Sequence, residues 1–141
     1  VPITSARLLI ACWALQLLAA AILAQTLFFK FSGSEESRYI FTRLGAEPWG
    51  RWSAGAAELV AVVLLLHPRT AAAGAALSIA IITGAILGHL TRLGIVVKDD
   101  GGLLFALALV VLVASAGVLI IRRDQVPVIG PLLSRPGSAA H

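Results

Sequence analysis

Three runs of this chain carry no Asp, Glu, Lys or Arg at all, and each is as long as a bilayer is thick. Positions 8–29 between Arg7 and Lys30 make 22 residues, 70–91 between Arg69 and Arg92 make another 22, and 101–121 between Asp100 and Arg122 make 21. At 1.5 Å per residue a helix of that length crosses roughly 30 Å of hydrocarbon. A fourth stretch, Pro48 to Leu66, is less clean, because it holds Arg51 and, near its middle, Glu58. Pro48 suits the first turn of a helix and Pro68 lies just past its end. The pattern predicts an all-α transmembrane four-helix bundle over residues 1–123. Its helices run at about 6–29, 48–66, 70–91 and 101–122, followed by a Pro/Gly-rich tail over 124–141 that is expected to be mostly unstructured or surface-lying.

Composition excludes the other classes. The 141 residues are 59% hydrophobic and 13% charged, about half the charge of an average soluble domain. A chain so apolar is not disordered. It is also too small to hide that much apolar surface as a water-soluble globule. The net charge of +4 is scattered, without a basic run, so nucleic acid is not an expected partner. The lone cysteine, Cys12, cannot form a disulfide within the chain and reads as a small buried hydrophobe.

The 30–47 connection is the one long loop. Ser34 is placed to cap a helix that starts with Glu35 and Glu36, where acids suit the helix dipole. Ile40, Phe41 and Leu44 fall on one face, and Gly45 is a natural stop. A short amphipathic helix is expected here, lying on the membrane surface or folded back over the bundle. In the third span, the Ala71–Ala76 run and the Gly84/Gly88 spacing allow close helix approach, within the bundle or in a homodimer. Trp49 and Trp52 near a span end suit an interfacial aromatic belt.

Polar groups inside a membrane are costly and mark function. Glu58 lies about ten residues into its helix, close to mid-bilayer, and must be protonated, paired or turned to a wet cavity. Arg51 sits two turns earlier on nearly the same face. Antiparallel topology brings Gln25, Lys30, Glu47, Arg51, Glu58, His89, Arg92, Lys98, Asp99 and Asp100 to one half of the bundle. The opposite half, with Arg7, Gln16, His67, Arg69 and the terminal arginines, reads as a plain anchor. Asp99 and Asp100 also suit a cap on the last helix, with Gly101 and Gly102 making the turn. No catalytic set, zinc site or haem pair is readable. His67 and His89 fall at opposite ends of a span. Lys and Arg divide five against six between the two sides, and the acids interleaved on the second side tilt the reading toward termini in the cytoplasm.

The strings QTLFFKFSG at 25–33, EPWGR at 47–51, GAAEL at 55–59, HLTRLGI at 89–95 and DDGG at 99–102 resemble a branch of the DoxX-like family of small four-helix bacterial membrane proteins. The resemblance covers about residues 5–123. It implies a multi-pass protein of the bacterial inner membrane, with Lys30, Glu47, Arg51, Glu58, His89, Asp99 and Asp100 in recurring motifs. The family name comes from a subunit associated with thiosulfate:quinone oxidoreduction. The expected function is therefore an accessory or ligand-binding subunit linked to membrane redox processes. It would hold a quinone-like or lipid-like molecule among Gln25, Lys30, Glu47, Arg51, Glu58, His89, Asp99 and Asp100. The alternatives are a small proton-coupled transporter and a purely structural subunit of a larger membrane complex.

Overall fold

The computed structural model describes residues 5–123; the tail expected over 124–141 lies outside them. Among the described residues the chain is helical throughout, with no strand. In order come α1 (Ala6–Ser32), α2 (Glu35–Arg43), α3 (Trp49–Leu65), α4 (Ala71–Gly88) continued by a π-helical turn (His89–Leu93), and α5 (Leu103–Ile121). The four longer helices pack in a closed cycle, α1 on α3, α3 on α4, α4 on α5 and α5 back on α1, while α2 lies against α1, α3 and the π turn. The helix of the 30–47 connection is thus folded back over the bundle.

Helix ends follow capping rather than charge. The free-run boundary at Lys30 predicts that α1 stops at residue 29, yet the helix continues to Ser32. What ends it is Gly33, which takes the left-handed conformation (φ 67°), with the Ser34 N–H donating to the Phe29 carbonyl at 3.1 Å. This six-to-one bond is the Schellman closure. The same Ser34 then opens α2, its hydroxyl accepting from the Ser37 N–H. At the other end of α2, Gly45 again has positive φ. α4 gains its π turn where an i−5 spacing inserts one extra residue per turn, a feature often found beside binding sites.

The bundle interior is lean. Cys12, Ala19, Leu23, Ala61, Leu65, Ala71, Ala75, Val111 and Val118 are almost wholly enclosed, and five of these nine are alanine or cysteine, so the backbones approach closely. Gly74 shows how closely, since a Cβ there would sit 2.7 Å from the Leu65 backbone nitrogen. Gly84, by contrast, borders empty space: a Cβ there would meet nothing within 4 Å. The Gly84/Gly88 spacing therefore serves no helix contact within the chain at Gly84.

Large apolar side chains face outward along the same helices, among them Ile10, Phe28, Leu90, Val113 and Ile120, each more than 60% exposed. Three helices, Ala6–Ser32, Ala71–Leu93 and Leu103–Ile121, are long and apolar enough to cross a membrane. An apolar exterior over helices of that length is what a bilayer requires, and the chain is built as a multi-pass membrane protein. α3, with 17 residues, is about 26 Å long and carries Arg51 and Glu58 buried in the cycle. Trp49 and Trp52 stand edge to face at its start, both exposed.

Candidate functional site

Glu58 points inward, with only 4% of its surface exposed. A carboxylate that deep needs compensation, and two side chains of α1 supply it. Lys30 Nζ lies 2.9 Å from Oε1, and the Thr26 hydroxyl lies 3.1 Å from Oε2 as donor. Thr26 and Lys30 are four residues apart, one above the other on one helix face, so the continuation of α1 past residue 29 is what places both against α3.

Above and beside this pair lies a cavity of about 300 Å³. Its walls are mostly aliphatic, from Leu23, Ile81, Ile82, Leu104, Leu107 and Val111 on α1, α4 and α5, and α2 roofs it with Ile40, Phe41 and the following Leu44. The polar lining is confined to Thr26, Lys30, Ser37, Glu58 and His89. A concave apolar space with a few converging polar groups is the usual form of a small-molecule site. Gly84 and Ala85 keep the wall thin on the α4 side.

His89 opens the π turn and is 6% exposed. Its Nδ1 lies 2.9 Å from the Gly94 carbonyl, and its ring stands edge-on to Phe105 at 5.6 Å. A carbonyl can only accept, so Nδ1 carries the hydrogen and donates. In the neutral ring Nε2 is then a hydrogen-bond acceptor. The π turn sets this geometry by bringing Gly94 back under the ring.

Arg51 and Glu58 do not meet, although their spacing predicted one face. The Arg51 Nε lies 2.9 and 3.0 Å from the two carboxylate oxygens of Glu47, and its Nη2 lies 2.9 Å from Oε1. Its Nη1 donates to the Lys30 carbonyl. Arg51 thus fastens the end of α1 to the start of α3 through Lys30, whose ammonium holds Glu58 on its other side. Glu47 and Arg51 brace the site without lining it.

The remaining expected members stand apart from the cavity. Gln25 is exposed on α1, and Asp99 is exposed with φ 61°. Asp100 organises its own loop: Oδ1 accepts from the N–H of Val97 and of Gly102, and Oδ2 from that of Leu104 at the start of α5. Burial pushes the Asp100 carboxyl up, and these three N–H donors are the main opposing influence that holds it below the usual carboxylate value. Of the two, Asp100 provides the cap. Lys98 pairs with Glu35 at 3.1 Å and lies over the Tyr39 ring, while the Arg92 carbonyl accepts from Arg43; these contacts tie α2 to the loop before α5 and to the π turn.

The opposite half of the bundle is not a plain anchor. Gln16 is fully enclosed and Arg122 is 6% exposed. Gln16 donates to the Leu65 carbonyl at 2.7 Å and accepts at Oε1 from the Cys12 thiol and from Arg122 Nε. Arg122 also donates to Cys12 Sγ and to the Pro68 carbonyl, and lies over the Trp13 ring. Counting terminal arginines as loop charges hid this cluster. The available signal was Gln16 within a charge-free run, one turn after Cys12 on the same face. Among the described residues, no group of three or more His, Cys, Asp and Glu side chains is placed to hold a metal ion.

Comparison with family models, with curated proteins and with solved structures gives no match for this chain.

Proposed function

We propose that this chain is a four-span membrane protein of the DoxX-like type that binds a small amphipathic molecule in the cavity roofed by α2, as an accessory subunit of a membrane redox system. The observation that carries this reading is the Lys30–Glu58 pair at the polar edge of a cavity walled mostly by aliphatic side chains. A pair kept only for stability is better replaced by packed hydrophobes, and a stability role gives no reason for empty space beside it. The molecule's tail would lie among Ile81, Ile82, Leu104 and Leu107, with its head toward Lys30, Glu58 and His89. Quinones and lipids both have this form. α3 would be the fourth span, its two buried charges covered by Lys30 and Glu47, and both termini would lie in the cytoplasm.

The test is extraction and mass spectrometry of protein purified gently into nanodiscs. A stoichiometric small molecule is expected with the native chain. It should be reduced in Gly84→Leu, because Gly84 lines the cavity and a Cβ there would meet nothing within 4 Å. Equal recovery from the two proteins would refute the reading.

A further inference from the structure

We infer that the cavity selects a neutral head bearing a hydroxyl donor, and rejects carboxylates and ammonium groups of equal tail length. The inference rests on the binding role proposed above and adds the chemical class of the ligand.

Charge balance comes first. The cavity lining has one cation and one anion, Lys30 and Glu58, and they are already joined at 2.9 Å. The other charges nearby are matched outside the lining, Arg51 with Glu47 and Lys98 with Glu35. A second carboxylate brought to Lys30 would leave one buried negative charge uncompensated, and an ammonium brought to Glu58 would leave one positive. Either is expensive in an apolar enclosure. A neutral head carries no such cost.

Hydrogen-bond roles come second. Both Glu58 oxygens are engaged, by Lys30 and by Thr26. The His89 ring is held by Gly94 in the tautomer that leaves Nε2 as an acceptor. A ligand that satisfies this acceptor must donate, and a hydroxyl is the neutral group that donates while its oxygen accepts from the spare N–H bonds of Lys30. Prenyl alcohols, hydroquinones and acylglycerols all belong to this class; free fatty acids and long-chain amines do not.

The experiment uses three probes with one tail, dodecan-1-ol, laurate and dodecylammonium, with dodecyl methyl ether as a donor-free control, titrated at pH 8 into the full chain in nanodiscs and read by native mass spectrometry. Dodecanol should bind the native protein at least about tenfold more tightly than either ion. Glu58→Gln, which keeps the shape and leaves Lys30 alone, should reverse the order of laurate and dodecanol. In His89→Phe the preference for dodecanol over dodecyl methyl ether, which has no donor, should fall about threefold to tenfold. Laurate or dodecylammonium equalling dodecanol on the native chain would overturn the inference while leaving the binding role intact. An order unchanged in Glu58→Gln would do the same. Binding of none of the three would remove the binding role and this inference together.

Discussion

At one end of the bundle, Lys30 meets a carboxylate at 2.9 Å beside open volume. At the other, Arg122 meets an amide oxygen, a thiol, a backbone carbonyl and an indole face. Both cations are enclosed by apolar helices, but their energetics differ in kind. An ion pair makes each partner depend on the other, because either one left alone is a bare charge in a poor solvent. A cation among neutral acceptors leaves only ordinary dipoles when it is removed. Charge and cavity meet at the first end, so a change of charge there also changes the cavity wall.

Replacing each cation with an apolar side chain breaks this comparison most directly, and gives the largest expected effect. Lys30→Met leaves Glu58 with Thr26 as its remaining partner among the described residues, and should cost about 3–5 kcal/mol, the penalty for an orphaned buried charge. Lys30→Met/Glu58→Leu should recover most of that loss. Arg122→Met should cost less than Lys30→Met, about 1.5–3 kcal/mol for the lost hydrogen bonds of a charged group, because Gln16 Oε1 keeps the Cys12 thiol and Gln16 Nε2 keeps the Leu65 carbonyl. Thermal unfolding of the four proteins in one detergent reads all of this. Comparable losses in the two single variants would show that the ends are not different in kind.

A middle-sized effect is expected from the arginine that braces the cavity end. Arg51→Ala removes the contacts to Glu47 and the bond to the Lys30 carbonyl, and should cost about 2–3 kcal/mol, the range for hydrogen bonds to charged groups. Arg69→Ala, on the opposite side and exposed, should stay within about 0.5 kcal/mol. Melting temperatures that coincide for this pair would mean that Arg51 is not part of a supporting network.

The spans were legible because lipid demands long uncharged helices, a rule that reads directly from residue type. The 30–47 helix was equally legible, since Ser34, the Glu35/Glu36 pair and the Ile40/Phe41/Leu44 stripe each state a separate part of it. Glu58, Lys30 and His89 were brought to one end by topology alone. Pairing was less visible: Arg51 and Glu58 share a face by spacing, but Glu47, four residues before Arg51, offers a nearer and bidentate partner. Small residues were ambiguous for a related reason. Gly74 touches backbone and Gly84 borders open space, and no periodicity distinguishes a glycine that admits a neighbouring helix from one that does not. Arg122 was hidden because a cation at a span end has two homes of similar cost, the headgroups and the bundle interior.

The smallest effect concerns the loop that supports the cavity end, where an acid titrates outside the membrane-spanning helices. Asp100 binds the N–H groups of Val97, Gly102 and Leu104, so its carboxyl is held below the value of an unfolded chain. A depressed carboxyl contributes stability that is complete above its unfolded value, roughly 3.9, and that disappears as pH falls through the lower folded value. The native chain should therefore keep a constant advantage over Asp100→Asn between pH 5 and pH 7, and lose it progressively below about pH 4. Asparagine retains one carbonyl oxygen for Val97 and Gly102 but presents an amide to Leu104, so the advantage at neutral pH comes from the start of α5. Stability curves of the two proteins that run parallel down to pH 3 would show that Asp100 does not cap α5 in the folded chain, and the cavity end would then owe nothing to its loop.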